Sequence, residues 1–275
     1  MRHSLYLTIL FFTLYSSISN AQTTLAVEPT HHYFNYTEFD INDNQLNKER
    51  GWMPGLQVEL STSITESLST SFSFTELEND VAYIGLTNKG RAMTTRTDEK
   101  ITSLGAQLQL RLVKNNRSQI HTFITLQQKE WQRDIRPNGP IAGLYEVYEW
   151  LETGIGVRLY EEISPSLSWA IEISKLSNGL FDQHSPTIYV DLSQIKGGTT
   201  TLDIGTDDDG SRLAAEINYR ILPQLNLGLH GYVESWDFGR SNTAISQGGE
   251  KEFAVTEPRS QTRNHGVKLF AAYQF

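Results

Sequence analysis

Apolar and polar residues alternate along most of this chain with a period of two, which is the pattern of a β-strand with one apolar and one polar face. In the clearest segment, one face carries Leu56, Val58, Leu60, Thr62 and Ile64, and the other carries Gln57, Glu59, Ser61 and Ser63. A helix has a period of 3.6 residues and would mix these two sets on its surface. The pattern therefore predicts an all-β protein.

The last segment, 265–275, keeps the same period and ends on an aromatic residue. Its apolar face consists of Val267, Leu269, Ala271, Tyr273 and Phe275. This ending resembles the C-terminal strand of bacterial outer-membrane β-barrels, whose terminal aromatic is read by the barrel-assembly machinery. The resemblance implies a transmembrane antiparallel up-and-down β-barrel in the cell outer membrane. It also implies three partners: outer-membrane lipid, lipopolysaccharide and the barrel-assembly machinery.

The N-terminal segment has the features of a secretion signal. A short basic start precedes an apolar run over 5–15, and Ser19, Asn20 and Ala21 form a small-x-small cleavage site. The apolar run has about 11 residues, whereas a membrane-spanning helix needs about 20. We therefore expect a signal peptide at 1–21 and one outer-membrane β-barrel domain at 22–275, with Gln22 as the first residue of the mature protein.

The alternating segments predict ten spanning strands, because a strand needs about 9–11 residues to cross an outer membrane. Short turns are expected at 65–67, 114–117, 163–165 and 223–224. Polar loops are expected after the opening strand and at 87–99, 133–143, 177–210 and 237–263. The opening strand, between 25 and 39, is the least distinct. With an even strand number, both termini lie in the periplasm. Twelve strands are the alternative, if 187–192 and 202–205 form an extra pair of strands and not a loop hairpin above the membrane.

The polar faces of these strands would line a narrow lumen with large and charged side chains. The predicted inward set is Glu146, Tyr148, Trp150, Glu152, Arg158, Glu172, Arg212, Glu216, Arg220, His230, Tyr232, Glu234, Lys268 and Phe270. A barrel of about eight strands has an interior that side chains fill, and an open channel needs about 16 strands. We therefore expect a filled lumen held by salt bridges, with a narrow pore as the alternative.

Aromatic residues near the ends of the strands predict two membrane-border girdles. The upper girdle would contain Tyr36, Trp131, Tyr145 and Trp236, and the lower one Tyr160, Trp169, Tyr219, Tyr273 and Phe275. The alternative is a set of sugar-stacking residues on the outer rim.

Composition narrows the partners of the chain. The formal net charge is −9 at pH 7, which argues against nucleic acid as a partner. The chain contains no cysteine, so it has no lipoprotein anchor site, disulfide or thiolate metal site. The mean hydropathy of −0.39 agrees with a barrel, because each strand shows lipid only every second residue.

Ten strands with five outer loops resemble in layout the omptin family of outer-membrane proteases and its non-enzymatic relatives among adhesins. The resemblance covers the mature chain. Omptins place an Asp-x-His pair after the seventh strand, facing an acidic pair across the barrel mouth, so that a water is activated between them. The matching positions here are Asp182 and His184. No Asp-x-Asp faces them, and the acidic candidates for that side are Glu76, Glu78, Asp80, Asp98 and Glu99.

A second segment, 176–179, is similar to the Ser-Asn-Gly part of a motif of outer-membrane phospholipases and lipid A deacylases. In that motif a histidine two residues before the serine takes the hydroxyl proton. Lys175 holds that position here, and a protonated lysine cannot serve as the base. Ser-Asn-Gly is also an ordinary turn at the end of a strand.

The densest charge cluster combines Asp203 with the run Asp207, Asp208 and Asp209. Oxygen ligands in a flexible loop suit calcium, and Asp207 and Asp209 are the best candidate ligands. The Asp-x-Asp-x-Asp-Gly spacing of a calcium loop is absent, so a solvated acidic loop tip is the alternative.

These patterns describe the location and construction of the protein better than its activity. We expect a barrel that acts through its surface loops as a binding or structural protein. One alternative is an omptin-like surface protease or another hydrolase with a site on the loop rim at Asp182 and His184. A narrow channel is the other.

Overall fold

The computed structural model describes residues 22–86, 90–178, 186–205 and 210–275. These residues form strands β1 (Thr23–Phe39), β2 (Gln45–Ser63), β3 (Leu68–Leu86), β4 (Ala92–Lys114), β5 (Ser118–Ile135), β6 (Leu144–Ser164), β7 (Leu167–Ser177), β8 (Thr187–Asp191), β9 (Thr199–Asp203), β10 (Gly210–Leu222), β11 (Leu225–Phe238), β12 (Thr243–Ile245), β13 (Ala254–Thr256) and β14 (Arg259–Gln274). A short 3-10 helix spans Ser193–Ile195. No helix in this part of the chain is long and apolar enough to cross a membrane.

Ten of these strands close into one antiparallel barrel. Their order around the ring is β5-β4-β3-β2-β1-β14-β11-β10-β7-β6, and β6 returns to pair with β5. The opening strand is well defined, since β1 pairs along its length with β2 and β14. The prediction of a ten-stranded up-and-down barrel is confirmed. The twelve-strand alternative is wrong, because β8 and β9 form a hairpin that attaches to the upper end of β6 outside the ring.

The outer surface of the barrel carries a belt of exposed apolar side chains. On β5 the outward residues Ile120, Ile124 and Leu126 are 36%, 55% and 43% exposed, and on β14 Leu269 is 63% exposed. Exposure of such a band to water would be unfavourable, whereas contact with the hydrocarbon of a bilayer requires an apolar surface. Together with the closed ring, the belt identifies a lipid-facing barrel, and the protein belongs in the cell outer membrane.

Several strands continue well above this belt. Beyond Leu126, the outward residues of β5 are Gln128, Glu130, Gln132 and Asp134. The predicted loop boundaries at 87–99 and 133–143 are therefore wrong, since β4 begins at Ala92 and β5 ends at Ile135. The outward positions are polar there because they face water, while the inward positions remain large. The barrel wall thus extends into the extracellular medium.

Three of the four residues predicted for the upper girdle face the inside of this extension. Tyr36, Trp131 and Trp236 are 0%, 0% and 3% exposed, so their predicted place in an upper girdle is wrong. Tyr160, predicted for the lower girdle, lines the lumen. The lower-border residues Tyr219, Tyr273 and Phe275 are outward and 54%, 46% and 70% exposed, as predicted.

The upper outer border is instead marked by a different aromatic cluster. The His31 and Trp52 rings stack with centroids 4.5 Å apart, and the Tyr33 and His265 rings stack at 4.9 Å. Trp52 also meets Tyr33 and His265 edge-on. The four rings lie on adjacent strands at the upper edge of the apolar belt.

Charge on the two faces of one strand should have unequal costs. Leu108 is 40% exposed in the belt, and the neighbouring Gln109 lines the lumen, where its amide lies 2.9 Å from His121 Nδ1. We expect Leu108→Arg to lower the free energy of unfolding by about 2–4 kcal/mol, and Gln109→Arg to lower it much less, because only the first puts charge into lipid. Urea titration of the folded barrel in lipid vesicles measures both. Equal losses would contradict the assignment of the two faces.

Candidate functional site

The lower half of the lumen is a polar cavity of about 580 Å³. Its lining reaches Gln22, Ser63 and Gln274 at the periplasmic ends of the strands, and Leu77 and Trp236 at its top. The wall formed by β2 to β5 carries hydroxyl and amide side chains, including Ser71, Ser73, Thr75, Ser103, Gln107 and Gln127. The opposite wall carries most of the charges. The lower half is thus not filled by side chains.

Ion pairs hold the charged wall. Arg158 lies 2.8 Å from Glu216 and 3.7 Å from Glu172, and Lys268 lies 3.3 Å from Glu28. The predicted inward charges line the lumen, except that Arg220 is exposed.

A second layer of charge and aromatic rings separates this cavity from the upper lumen. Lys129 Nζ lies 2.9 Å from Glu152 and 4.0 Å from Glu234, and Arg212 lies 3.0 Å from Glu234. The Lys129 ammonium also stands 5.0 Å from the centre of the Trp236 ring. Opposite charges and a cation–π contact stabilise each other in this low-dielectric layer.

The upper lumen is packed with buried side chains. This upper core consists of Phe34, Tyr36, Met53, Leu77, Val81, Ile101, Trp131, Tyr148, Trp150, Ile188, Val190, Leu192, Leu202, Ile204, Trp236 and Phe238. The inward faces of the ring strands supply most of it, and the β8–β9 hairpin supplies its top. No side chain of this set exceeds 8% exposure. The extracellular end of the barrel is therefore closed.

Arg133 is the charged centre of the upper core. Its Nη2 lies 2.9 Å from Glu38, its Nη1 lies 2.7 Å from Glu146, and its Nε donates to Glu49 at 2.9 Å. Nη1 also donates to the Tyr148 hydroxyl at 3.1 Å. Arg133 is 1% exposed, so the guanidinium is held entirely by these side chains.

Glu257 connects this centre to the fifth loop, which spans 239–258. It accepts hydrogen bonds from Tyr148 Oη at 2.7 Å and Tyr36 Oη at 3.3 Å, and its backbone N–H donates to Ser241 Oγ. Burial, reinforced by the nearby Glu38, raises the pKa of the Glu257 carboxyl well above its usual value. The loop is therefore attached to the core through a carboxyl group that favours its protonated form.

The fourth and fifth loops interlock above the core. The backbones of Thr199 and Gln247 exchange two hydrogen bonds of 2.9 Å each. Gly198 lies so close that a Cβ at this position would be 1.6 Å from the Gln247 carbonyl oxygen, which explains the glycine. Lys196 and Glu250 add a surface ion pair at 3.1 Å. We call this pair of loops, in their described parts 186–205 and 239–258, the cap.

The residues predicted for catalysis and calcium binding, Asp182, His184, Asp207 and Asp209, lie outside the described residues. Both sites stay predictions. Within the described residues, no group of three or more histidine, aspartate or glutamate side chains is placed to hold a metal ion.

The acidic residues expected to face Asp182 and His184 do not line the mouth. Glu76 pairs with Lys100 at 3.0 Å on the outer surface, where Glu78 and Asp80 also lie, and Asp98 pairs with the exposed Arg136. Glu99 does point inward, but it is 1% exposed and accepts a hydrogen bond from Trp131 Nε1. The expected acidic partner of an omptin-like site is therefore missing from these positions, because alternation sends the even-numbered residues outward.

The comparisons with known proteins concern the fold. No family model matches the chain, and no curated protein sequence matches it. The outer membrane protease OmpT from Escherichia coli superposes with a TM-score of 0.67 at 8% identity, covering 94% of this chain and 98% of that one. The translocator domain of the autotransporter NalP from Neisseria meningitidis has a TM-score of 0.43 at 10% identity, covering 100% of this chain and 96% of that one. Ail, the attachment invasion locus protein of Yersinia pestis, has a TM-score of 0.31 at 9% identity, covering 93% of this chain and 99% of that one.

The superposition on OmpT shows a shared fold, so this chain is an outer-membrane β-barrel of ten strands, as predicted. At 8% identity it shows nothing about chemistry. Sequence reasoning missed the closed upper core around Arg133. The available signal was that Lys129, Trp131, Arg133 and Ile135 continue the inward period of β5.

Proposed function

We propose that the protein is a non-conducting outer-membrane barrel that acts through its extracellular loops as a binding or structural protein. The observation that carries this proposal is the closed upper core, which blocks the lumen above the cavity. A solute that enters from the periplasm meets the layer of Lys129, Glu152, Arg212 and Glu234 and then a tightly packed apolar region.

The outer loops offer the surface for such binding. Exposed apolar side chains stand on three of them: Ile41 at 76%, Tyr189 at 39%, Ile195 at 37% and Ile245 at 50%. Apolar groups exposed to water outside the membrane belt are typical of contact surfaces. The cap is also fixed by backbone contacts between its two loops, so a partner would meet a preformed surface at a low cost in ordering.

Electrical recording tests the closed lumen. We expect the purified barrel to give no steady single-channel conductance in a planar bilayer. Stable channels at neutral pH would contradict the proposal and favour the narrow-pore alternative.

A single methyl group should loosen the cap without touching the barrel. Gly198→Ala places a Cβ against the Gln247 backbone, so the two loops must separate, and we expect their cleavage by an added protease to rise at least about tenfold, which corresponds to about 1.4 kcal/mol of local stability. Gly231→Ala is the matched control, because nothing lies within 4 Å of a Cβ there. Equal cleavage of the two variants would show that the loops do not interlock in the membrane. Binding of a candidate partner by cells should fall with Gly198→Ala and persist with Gly231→Ala.

A surface protease is the second candidate. It is supported by the Asp-x-His spacing of Asp182 and His184, on a barrel whose fold is shared with OmpT. Cleavage of a peptide library that is abolished by His184→Ala would establish it. Absence of cleavage by the wild-type barrel in lipopolysaccharide-containing membranes would exclude it.

A further inference from the structure

The upper core contains more acid than its cations can balance. Five carboxyl groups are buried there: Glu38 at 6% exposure, Glu49 at 0%, Glu99 at 1%, Glu146 at 3% and Glu257 at 6%. Among the described residues, the only cation in ion-pair contact with them is Arg133, which reaches Glu38, Glu49 and Glu146. Several uncompensated carboxylates in a dry interior would cost more free energy than a folded protein can hold. Some of these groups must therefore be neutral.

Buried acceptor atoms that lack a hydrogen-bond donor indicate where a neutral carboxyl group lies. Glu49 Oε2, Glu99 Oε1 and Asn47 Oδ1 are buried and have no hydrogen-bond partner among the described residues. All three accept hydrogen bonds and cannot donate in the ionised or amide form. The Thr97 hydroxyl, also without a partner, can supply one hydrogen at most. A further donor is required.

Glu49 and Glu99 can supply that donor themselves. Glu99 lies opposite Arg133 in the β4–β5 pairing and Arg133 donates to Glu49, so the two carboxyl groups lie beside the same guanidinium on the inner wall. Each has one oxygen already satisfied, Glu49 Oε1 by Arg133 and Glu99 Oε2 by Trp131 Nε1, which leaves one free oxygen on each. Two neighbouring buried carboxylates repel each other unless one of them holds a proton.

We propose that Glu99 is protonated in the folded protein and donates its proton to Glu49, and that this buried proton site holds the cap closed at neutral pH. Glu49 keeps its charge because Arg133 binds it directly, whereas Glu99 makes no ion pair among its described contacts. The cap rests directly on the upper core through Glu257 and the β8–β9 hairpin. Loss of the shared proton places two charges in that core, and the cap should release before the barrel wall.

The titration of Glu49 and Glu99 would affect polar groups on the strands and the loop that surround this pair. These groups are Tyr36 and Glu38 on β1, Asn47 on β2, Tyr83 on β3, Thr97 on β4, Trp131 and Arg133 on β5, Glu146 and Tyr148 on β6, and Glu257 in the fifth loop. The direction of the pH dependence of stability follows from the difference in proton binding between the folded and unfolded states. A carboxyl that holds its proton more tightly in the folded state adds stability at low pH and loses it as pH rises from the ordinary glutamate value to the folded value. Glu257, whose pKa is raised, acts in the same direction.

Glu99→Gln tests the site, because the glutamine amide can donate to Glu49 as the protonated acid does while its oxygen still accepts from Trp131. Infrared spectra of the wild-type barrel at neutral pH should contain the C=O stretch of a buried protonated carboxyl. We expect one component of that band to disappear in Glu99→Gln and to remain in Glu149→Gln, an exposed glutamate on β6. An unchanged band in Glu99→Gln would overturn the proposal.

Protease access to the cap gives an independent measurement. In the wild type, cleavage of the fourth and fifth loops should rise as pH rises, and in Glu99→Gln the midpoint should move up by about one pH unit or more. A midpoint equal to that of Glu149→Gln would overturn the proposal. A chelator at neutral pH should leave wild-type cleavage unchanged. If the chelator opens the wild-type cap but not that of Glu99→Gln, a bound cation occupies the place we assign to the proton.

Discussion

Arg133→Met is expected to destabilise the folded barrel by about 3–5 kcal/mol, because it removes the cation from Glu38, Glu49 and Glu146 while leaving these carboxyl groups buried. Methionine keeps much of the side-chain volume, so the loss is mainly electrostatic. Urea titration in lipid vesicles measures the change, and the yield of folded protein in cells should fall with it. Because the carboxyl groups can take up protons, the variant should recover part of its stability at acidic pH.

Arg136→Met is the matched control for this prediction. Arg136 follows the same strand and also binds a carboxylate, Asp98, but its side chain is 46% exposed and the pair is solvated. Exposed ion pairs contribute about 0–1 kcal/mol, so this variant should stay within that range. Similar losses for the two variants would show that the Arg133 network is open to water.

The ring of strands could be predicted because lipid and lumen impose opposite requirements on neighbouring residues. Leu104, Leu108 and Leu110 face hydrocarbon while Gln107 and Gln109 face the water of the lumen, and this alternation recurs in strand after strand. The short turns could be predicted for the same reason, since each interrupts the alternation for only a few residues. The ten-strand count therefore depends on local information.

The upper core could not be read from the same pattern. Above Leu126 the outward residues of β5 become polar, so the segment resembles a loop although Trp131 and Arg133 remain on the inner face. Aromatic residues at that height also suit a membrane girdle, and only the direction of each side chain separates the two cases. Tyr36 in β1 is predicted for the upper girdle for this reason, although its side chain faces the upper core.

Partners across the barrel depend on register and are not local. Arg133 and Glu49 are far apart in sequence, on strands that are not neighbours in the ring, and meet because both point into the closed lumen. The contact between Gly198 and Gln247 likewise depends on how two long loops fold over the mouth. The free oxygens of Glu49 and Glu99, which carry the proton-site proposal, appear only when all of these partners are in place.

Trp131→Ala should lower the free energy of unfolding about as much as Arg133→Met, but through lost packing and not through lost charge balance. The indole is fully buried, stacks on Tyr148 with ring centroids 4.4 Å apart and meets Tyr36 edge-on at 4.9 Å. Removing it leaves a large cavity and also removes the donor to Glu99, so we expect a cost of about 3–5 kcal/mol. Trp131→Phe keeps most of the ring and should cost about 1–3 kcal/mol for the lost donor.

Trp52→Ala provides the comparison, because Trp52 is 43% exposed at the upper outer border and its loss opens no interior space. We expect this variant to cost clearly less than Trp131→Ala in the same urea titration, and we expect the Trp131 variants alone to raise protease cleavage of the cap. If Trp131→Ala costs no more than Trp52→Ala, the upper core is not packed in the membrane-embedded protein. A loosely packed core would also leave room for solutes, so that result would favour the narrow channel over a closed barrel that works through its loops.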